Sequence, residues 1–184
     1  MGEINMKIGM IRHFKVDYIP GGFITSKEIW HCEELYNTSE VTENDVDLGG
    51  ITWDRCYSSD LYRAKRTSKS VFQGEIIESH LIREVTIDPV INTERKLPYL
   101  FWDVASRFQW YFNLGKSQRE LRRDTEKRAN EFLDSLKYEE DENILIVTHG
   151  LFMHVFQKEL RKRGFKGKIT LRPKNGTLYV YSKK

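Results

Sequence analysis

Met6-Lys7-Ile8-Gly9-Met10-Ile11-Arg12-His13 is a short apolar run that ends abruptly in an arginine and a histidine. Its length and composition are typical of a buried strand of a parallel sheet. Ligands of open α/β sheets bind just beyond the carboxyl ends of the strands, which is where Arg12 and His13 lie. A permanently charged guanidinium beside an imidazole suits phosphate chemistry. Taken alone, however, the pair is more typical of an ordinary surface loop.

A second apolar run ends in the same way. Residues 144–147 precede Thr148-His149-Gly150 and form the clearest buried strand of the sequence. The pattern after Gly150 predicts a helix through about Arg163, with its apolar residues on one side. His149 is therefore expected at the carboxyl end of a strand, like His13.

Two further strand ends carry charged residues. Residues 54–60 are predicted as a strand, and Leu61 to about Phe72 as a helix with Arg63 in its first turn. Residues 76–85 are predicted as a strand and its exit, which ends at Arg83-Glu84. Asp88-Pro89 then interrupts the pattern.

The remaining segments continue the alternation of strands and helices. A helix capped by Thr25 or Ser26 is predicted to run to about Tyr36, and the polar segment Asn37–Gly50 is predicted as a loop or a poorly ordered helix. An aromatic helix is predicted at Leu97–Asn113, and a helix capped by Ser117 is predicted to run to about Lys137. The last two strands are predicted at Lys166–Leu171 and Thr177–Tyr181, joined by a turn at Pro173–Gly176. The alternation predicts an α/β fold: a three-layer α/β/α sandwich with a mostly parallel central sheet. We expect one domain over residues 1–184.

The composition narrows the class of protein. Hydrophobic residues make up 39% and charged residues 31% of 184 residues, which is typical of a soluble globular chain. The net charge of +3 permits anionic ligands but does not require nucleic acid or a membrane. Cys32 and Cys56 have no metal-type spacing, so we expect reduced thiols in the cytoplasm. We expect neither a signal peptide nor a membrane span.

Five residues could converge at one edge of the predicted sheet, because the carboxyl ends of parallel strands share an edge. They are Arg12, His13, Arg63, Glu84 and His149. Such a set holds a nucleophile, cations for phosphoryl oxygens and an acid for a leaving group. The sequence thus indicates phosphoryl transfer.

Several segments, in order, resemble the motifs of the histidine phosphatase (phosphoglycerate mutase-like) superfamily, branch 1. Arg12-His13 is similar to its Arg-His-Gly signature, and residues 58–67 resemble its Ser-x-Asp-Leu-x-Arg-Ala-x-x-Thr segment. Ile82-Arg83-Glu84 is similar to the Leu-x-Glu that carries the acid, and residues 147–150 resemble Val-Ser/Thr-His-Gly. Residues 175–177 are also similar to the family. The matches span nearly the whole chain.

The resemblance implies a role for each residue. His13 would be the nucleophile and form a phosphohistidine. Arg12, Arg63 and His149 would bind the phosphoryl oxygens together with His13. Glu84 would protonate the leaving oxygen and then accept a proton from water. The resemblance implies no metal and no organic cofactor, and the sequence shows no metal-ligand spacing.

Three positions depart from the family pattern. Phe14 replaces the glycine that usually follows Arg-His, and we expect it to narrow the pocket or change the backbone path. Ile19 occupies a position that is often asparagine. Residues 86–89 replace an acidic-glycine stretch after the acid. These departures make the assignment of a substrate by analogy unsafe.

The sequence therefore predicts a metal-independent phosphomonoesterase that releases inorganic phosphate from a small phosphorylated metabolite. A phosphoglycerate-type mutase is the alternative among enzymes, but mutases of the family are generally longer. A non-catalytic phosphate binder, or a nucleic-acid binding module built on the basic helices, is the alternative of another class. No nucleic acid or membrane partner is expected. Substrate and oligomeric state stay open.

Overall fold

We describe a computed structural model of the chain, which covers residues 6–115, 117–136 and 142–183. The helices are Glu28–Thr38 (α1), Tyr62–Val71 (α2), Tyr99–Tyr111 (α3), Arg122–Ser135 (α4) and Gly150–Lys162 (α5), with a 3₁₀ turn at His80–Ile82. The strands are Met6–Arg12 (β1), Lys15–Val16 (β2), Phe23–Ile24 (β3), Val41–Thr42 (β4), Arg55–Ser59 (β5), Ile76–Ser79 (β6), Leu97–Pro98 (β7), Asn143–Thr148 (β8), Lys166–Gly167 (β9) and Leu178–Lys183 (β10).

Six of the described strands form one sheet in the order β6-β5-β8-β1-β10-β9. The first four are mutually parallel, and β10 runs antiparallel to both of its neighbours. The near-continuous burial of β1 and β8 is typical of central parallel strands, which are covered on both faces. The sequence-based prediction of a mostly parallel sheet is confirmed.

The two faces of the sheet are covered by different helices, because successive strand residues point to opposite sides. On one face, Ala64 of α2 packs in a cluster with Cys56 and Leu145. On the other face, Tyr57 contacts Phe132 of α4 edge-on, and Phe132 in turn contacts Phe156 of α5. Neighbouring residues of β5 thus face different helices, and the layers are helix, sheet and helix as predicted.

The chain divides into two compact units, which we describe separately. Unit 1 comprises Met1–Lys15, Val41–Glu84 and Glu126–Lys184, and contains the six-stranded sheet. Unit 2 comprises Val16–Glu40 and Val85–Thr125. The expectation of one domain over residues 1–184 stays a prediction.

Unit 2 contains the aromatic helix that the sequence predicts. Trp102 and Trp110 are buried, and their indole N–H groups donate to the Ile24 carbonyl and to the Thr125 hydroxyl. Phe101 and Phe108 of the same helix are exposed. One side of α3 therefore packs into the core of unit 2. The other side presents aromatic rings to solvent.

Two predicted helix caps are wrong. The residue before α1 is Lys27; Thr25 instead bonds Glu28 through its backbone N–H and its hydroxyl. Ser117 lies well before Arg122, where α4 begins; there Asp124 accepts the Leu121 N–H at 2.9 Å, as a helix-start carboxylate does. The predicted end of this helix at Lys137 lies outside the described residues.

Two predicted strands are longer than those observed. The strand predicted to begin at Ile76 ends at Ser79, because the chain turns into the 3₁₀ segment His80–Ile82. The strand predicted at Lys166–Leu171 contains only the two residues of β9. No helix within the described ranges has the length and apolar character that a membrane crossing requires.

Candidate active site

His13 lies directly after β1 and is almost fully buried. Its Nδ1 lies 2.6 Å from the Phe14 carbonyl oxygen. Because a carbonyl oxygen can only accept, the proton of the neutral ring lies on Nδ1, and Nε2 carries a lone pair. The Nε of Arg63 lies 3.3 Å from this Nε2 and donates to it. His13 therefore presents an unprotonated nitrogen beside a cation.

The surroundings of His13 favour its neutral form. Burial is the main cause that holds its pKa well below 6.5, and the positive charges of Arg63 and Arg12 act in the same direction. The Phe14 carbonyl acts against them, because it accepts a hydrogen bond from the ring. The net effect is an imidazole that is ready to act as a nucleophile at neutral pH.

Arg63 is positioned by α2, in whose first turn it lies, and is itself buried. Thr67, one turn further, donates to the Arg63 carbonyl at 2.7 Å and accepts the Phe14 N–H at 2.8 Å. The Thr67 hydroxyl thus ties α2 to the backbone that follows His13.

Arg12 ends β1 and is fixed at two points. Its Nη1 donates to the Pro173 carbonyl at 2.9 Å, and its own carbonyl accepts the Gly176 N–H at 2.8 Å. Asn175 donates from its amide to the His13 carbonyl at 2.6 Å. The Nε of Arg12 is buried and has no hydrogen-bond partner among the described residues. The guanidinium thus retains a donor for a ligand.

His149 follows β8 and is fully buried. Its ring centroid lies 5.0 Å from that of His13, and its Nε2 lies 2.8 Å from the Ser59 hydroxyl oxygen. Its Nδ1 has no partner among the described residues. Burial, followed by the charge of Arg63, holds the pKa of His149 well below 6.5. His149 is therefore a neutral ring beside His13.

Glu84 lies near the beginning of α5, which starts directly after His149. Its two carboxylate oxygens accept the backbone N–H groups of Leu151 and Phe152 at 3.2 Å and 3.0 Å. A carboxylate at this end of a helix is favoured by the positive end of the helix dipole. The backbone of α5 thus connects Glu84 to His149.

The segment before Glu84 is held from two sides. Arg128 of α4 donates to the carbonyls of Leu81 and Arg83 at 2.7 Å and 2.8 Å. Thr148 of β8 donates its hydroxyl to the Ile82 carbonyl at 2.7 Å. These bonds fix the backbone of the segment that precedes Glu84.

The structure places all five predicted site residues in unit 1. It brings His13, Arg63 and His149 into direct proximity, and the charge of Arg12 acts on both histidines. Glu84 is linked to the group through the backbone of α5. Sequence reasoning missed the supporting hydrogen-bonding residues, which are Ser59, Thr67, Arg128, Thr148 and Asn175. Ser59, Thr67, Thr148 and Asn175 lie within the quoted motifs, so the motifs themselves could have pointed to them.

Two of the residues that depart from the family pattern, Phe14 and Ile19, have different surroundings in the structure. Phe14 is fully buried, and its backbone does not adopt the left-handed conformation that would require glycine. Ile19 belongs to unit 2, and 75% of its surface is exposed. Among the described residues, no group of three or more His, Cys, Asp or Glu is arranged to hold a metal ion. The expectation that no metal is needed stays a prediction.

Comparison with known families identifies one match that covers most of the chain. Residues 45–182 match the model of the histidine phosphatase superfamily (branch 1). This range is about three quarters of the chain and includes Arg63, Glu84 and His149, whereas Arg12 and His13 precede it.

Solved structures of phosphatases share the fold. The α-ribazole phosphatase of Shigella flexneri has a TM-score of 0.58 and 18% identity, covering 95% of this chain and 89% of that chain. A mycobacterial glucosyl-3-phosphoglycerate phosphatase has a TM-score of 0.55 and 17% identity, covering 86% and 80%. A structure of the latter in complex with VO3 has a TM-score of 0.52 and 19% identity, covering 85% and 82%. At these identities the likeness concerns the fold.

A curated protein is similar over a shorter stretch. Lysine-specific demethylase 6B of Homo sapiens is 36% identical over 66 residues, which are 36% of this chain and 4% of that protein. The chain therefore spans a very small part of that relative's length.

Proposed function

This chain belongs to the histidine phosphatase superfamily (branch 1), and we propose that it is a metal-independent phosphomonoesterase that forms a phosphohistidine on His13. The observation that carries the proposal is the state of His13. Its neutral ring turns an Nε2 lone pair towards the guanidinium of Arg63, 3.3 Å away. A nucleophile beside a fixed cation suits attack on an anionic phosphate ester, because the cation offsets the repulsion that the ester would otherwise meet.

In the proposed first step, Nε2 attacks phosphorus, and the bond between phosphorus and the leaving oxygen breaks as the N–P bond forms. Arg12, Arg63 and His149 bind the other phosphoryl oxygens, where negative charge develops. Glu84 gives a proton to the leaving oxygen. In the second step, water attacks phosphorus, the N–P bond breaks, and Glu84 accepts the proton of the water.

The relatives support a small phosphorylated substrate. Two of the solved structures are phosphatases named for α-ribazole and glucosyl-3-phosphoglycerate. Free, buried thiols at Cys32 and Cys56 suit a reducing compartment, so the proposal includes a cytoplasmic location. It includes no nucleic acid or membrane partner.

Phosphate release from a panel of small phosphate esters, with a chelator present, tests the proposal. We expect release by the unmodified chain, an acid-labile phosphoenzyme in rapid-quench samples, and loss of both in His13→Ala. His31→Ala is the matched control, because His31 is an exposed residue of α1 that belongs to unit 2. Near-normal hydrolysis by His13→Ala would exclude a phosphohistidine at this residue. A mutase would instead return labelled phosphate to an organic acceptor.

Vanadate supplies a second probe, because the mycobacterial phosphatase has been solved in complex with VO3. We expect vanadate to inhibit this enzyme in competition with the substrate. Inhibition should weaken strongly in Arg63→Gln, which removes a charged donor from the proposed oxyanion site. Equal inhibition of both chains would place vanadate elsewhere.

A further inference from the structure

The hydrogen bond between His149 and Ser59 determines which nitrogen of His149 carries the proton. Ser59 is the last residue of β5, and both side chains are fully buried. The Ser59 oxygen lies 2.8 Å from Nε2 of His149 and accepts a longer bond from the Leu61 N–H at 3.4 Å. Nδ1 of His149 has no partner among the described residues.

The hydroxyl proton of Ser59 needs an acceptor. Within the part of the chain that the structure describes, the contacts of the Ser59 oxygen are the Leu61 N–H, which can only donate, and Nε2 of His149. If Nε2 carried a proton, three hydrogen atoms would meet at one oxygen, and the hydroxyl proton would be buried without an acceptor, which is costly. If Nε2 is unprotonated, the hydroxyl donates to it and both groups are satisfied. The neutral ring then carries its proton on Nδ1.

We propose that Ser59 is a positioning residue, which fixes the proton of His149 on Nδ1 so that this buried N–H can donate to an oxyanion. The catalytic consequence rests on the proposed function, whereas the position of the proton does not. Among the described residues, the Nε of Arg12 is also a buried donor without a partner, and the charge of Arg12 acts on both histidines. One anion could therefore satisfy both donors.

The two neighbouring histidines then have complementary tasks. The Phe14 carbonyl holds the proton of His13 on Nδ1 and leaves a lone pair on Nε2 for attack. The Ser59 hydroxyl occupies the lone pair of His149 and leaves an N–H for binding. The opposite tautomer of His149 would direct a lone pair towards a phosphoryl oxygen, and the two would repel each other.

Nitrogen-15 NMR of the imidazole rings tests the proton position without any assay of activity. In the unmodified chain at neutral pH, long-range proton–nitrogen spectra should show Nδ1 of His149 protonated and Nε2 unprotonated, with the signals assigned by their absence in His149→Gln. In Ser59→Ala, we expect a substantial population of the Nε2-protonated form, and Ser59→Thr should restore the original spectrum. A protonated Nε2 in the unmodified chain would overturn the inference even if no Ser59 variant folds.

Titration with inorganic phosphate tests the consequence. Loss of one well-directed bond to a charged ligand should weaken phosphate binding about tenfold in Ser59→Ala. Ser58→Ala is the matched control, because Ser58 is an equally buried neighbour whose hydroxyl donates to the Ser59 carbonyl. Equal affinities of Ser59→Ala and Ser58→Ala would contradict the role of Ser59. Failure of the unmodified chain to hydrolyse any phosphate ester, with the tautomer and phosphate affinity as expected, would overturn the proposed function and leave the role of Ser59 standing.

Discussion

Replacement of Glu84 by glutamine separates its proposed catalytic role from its structural one. The carboxylate accepts two backbone N–H groups at the beginning of α5, from Leu151 at 3.2 Å and Phe152 at 3.0 Å. A glutamine carbonyl can replace one of these acceptors, but its amide group would turn a donor towards the other N–H. One bond to a charged group is worth roughly 1.5–3 kcal/mol, and the charge at the helix end roughly 0.3–1 kcal/mol. We therefore expect Glu84→Gln to lower the free energy of unfolding by about 2–4 kcal/mol.

The catalytic effect should depend on the leaving group. General acid catalysis contributes roughly 10²–10⁴-fold when the leaving oxygen needs a proton. An alkyl phosphate needs that proton, whereas nitrophenolate leaves readily without it. In Glu84→Gln, kcat/KM should fall by about a hundredfold or more for an alkyl phosphate, and far less for nitrophenyl phosphate. The parameter kcat/KM is the appropriate readout, because it reports the step that transfers phosphate to the enzyme.

The second step provides an independent readout. If Glu84 also accepts the proton of the attacking water, the phosphoenzyme should accumulate in Glu84→Gln with both substrates, as rapid-quench measurements would show. Asp124→Asn is a suitable control, because Asp124 is a carboxylate at the start of α4 that accepts the Leu121 N–H. It should lose stability without changing the ratio between the two substrates. Equal losses of kcat/KM on both substrates in Glu84→Gln would reduce Glu84 to a helix-end residue and refute its acid role.

Three other perturbations follow from the site geometry. Arg63→Gln should lower kcat/KM about a hundredfold or more. It should also move the acid limb of the pH–rate profile to higher pH, because Arg63 helps to keep the pKa of His13 low. An acid limb that stays at the same pH would contradict this coupling. Gly150→Ala would place a Cβ 3.2 Å from the Nε of Arg12. We therefore expect a raised KM with an unchanged circular dichroism spectrum. An unchanged KM would show that the Arg12 side chain can move aside without affecting substrate binding. In urea unfolding, the free energy of unfolding should keep its full value above about pH 6.5 and fall below it, by up to about 1.4 kcal/mol per pH unit for each of His13 and His149. The reason is that the two buried rings stay neutral in the folded chain, whereas the unfolded chain binds protons. A free energy of unfolding that does not change with pH would refute the lowered pKa values.

The parts of the fold that the sequence predicted correctly are those with a strong local signal. Long apolar runs identify β1 and β8, and the helices that follow β5 and β8 begin within a residue of the predicted positions. The prediction of Ser26 as a cap was wrong because its hydrogen-bond partner is distant in sequence. Ser26, predicted as a cap of α1, instead donates to the Thr93 carbonyl at 2.9 Å. No pattern around Ser26 could reveal a partner in a segment so far away.

Asp88 shows how the structure narrows the candidates for the acid role. From the sequence, Asp88 and Asp17 are the next candidates should Glu84 not serve as the acid. In the structure its carboxylate is buried, accepts the backbone N–H of Arg119 at 2.9 Å, and pairs with the Arg119 guanidinium at 2.6 Å. Asp88 is thus an ion-pair partner of Arg119 within unit 2, whereas Glu84 belongs to unit 1 together with His13, and this favours Glu84 as the first residue to test.

The closeness of the two histidines follows from strand register, which the local sequence does not contain. β1 and β8 are adjacent and parallel, although more than a hundred residues separate them along the chain, and Arg12 pairs with Thr148 in their register. His13 and His149 are the next residues of the two strands, so their rings are held about one strand spacing apart, roughly 4.8 Å. The observed distance of 5.0 Å between the ring centroids agrees. A shift of this register by one residue would turn one ring to the opposite face of the sheet. The burial of both apolar runs, which fixes the register, therefore also fixes the geometry on which the proposed chemistry depends.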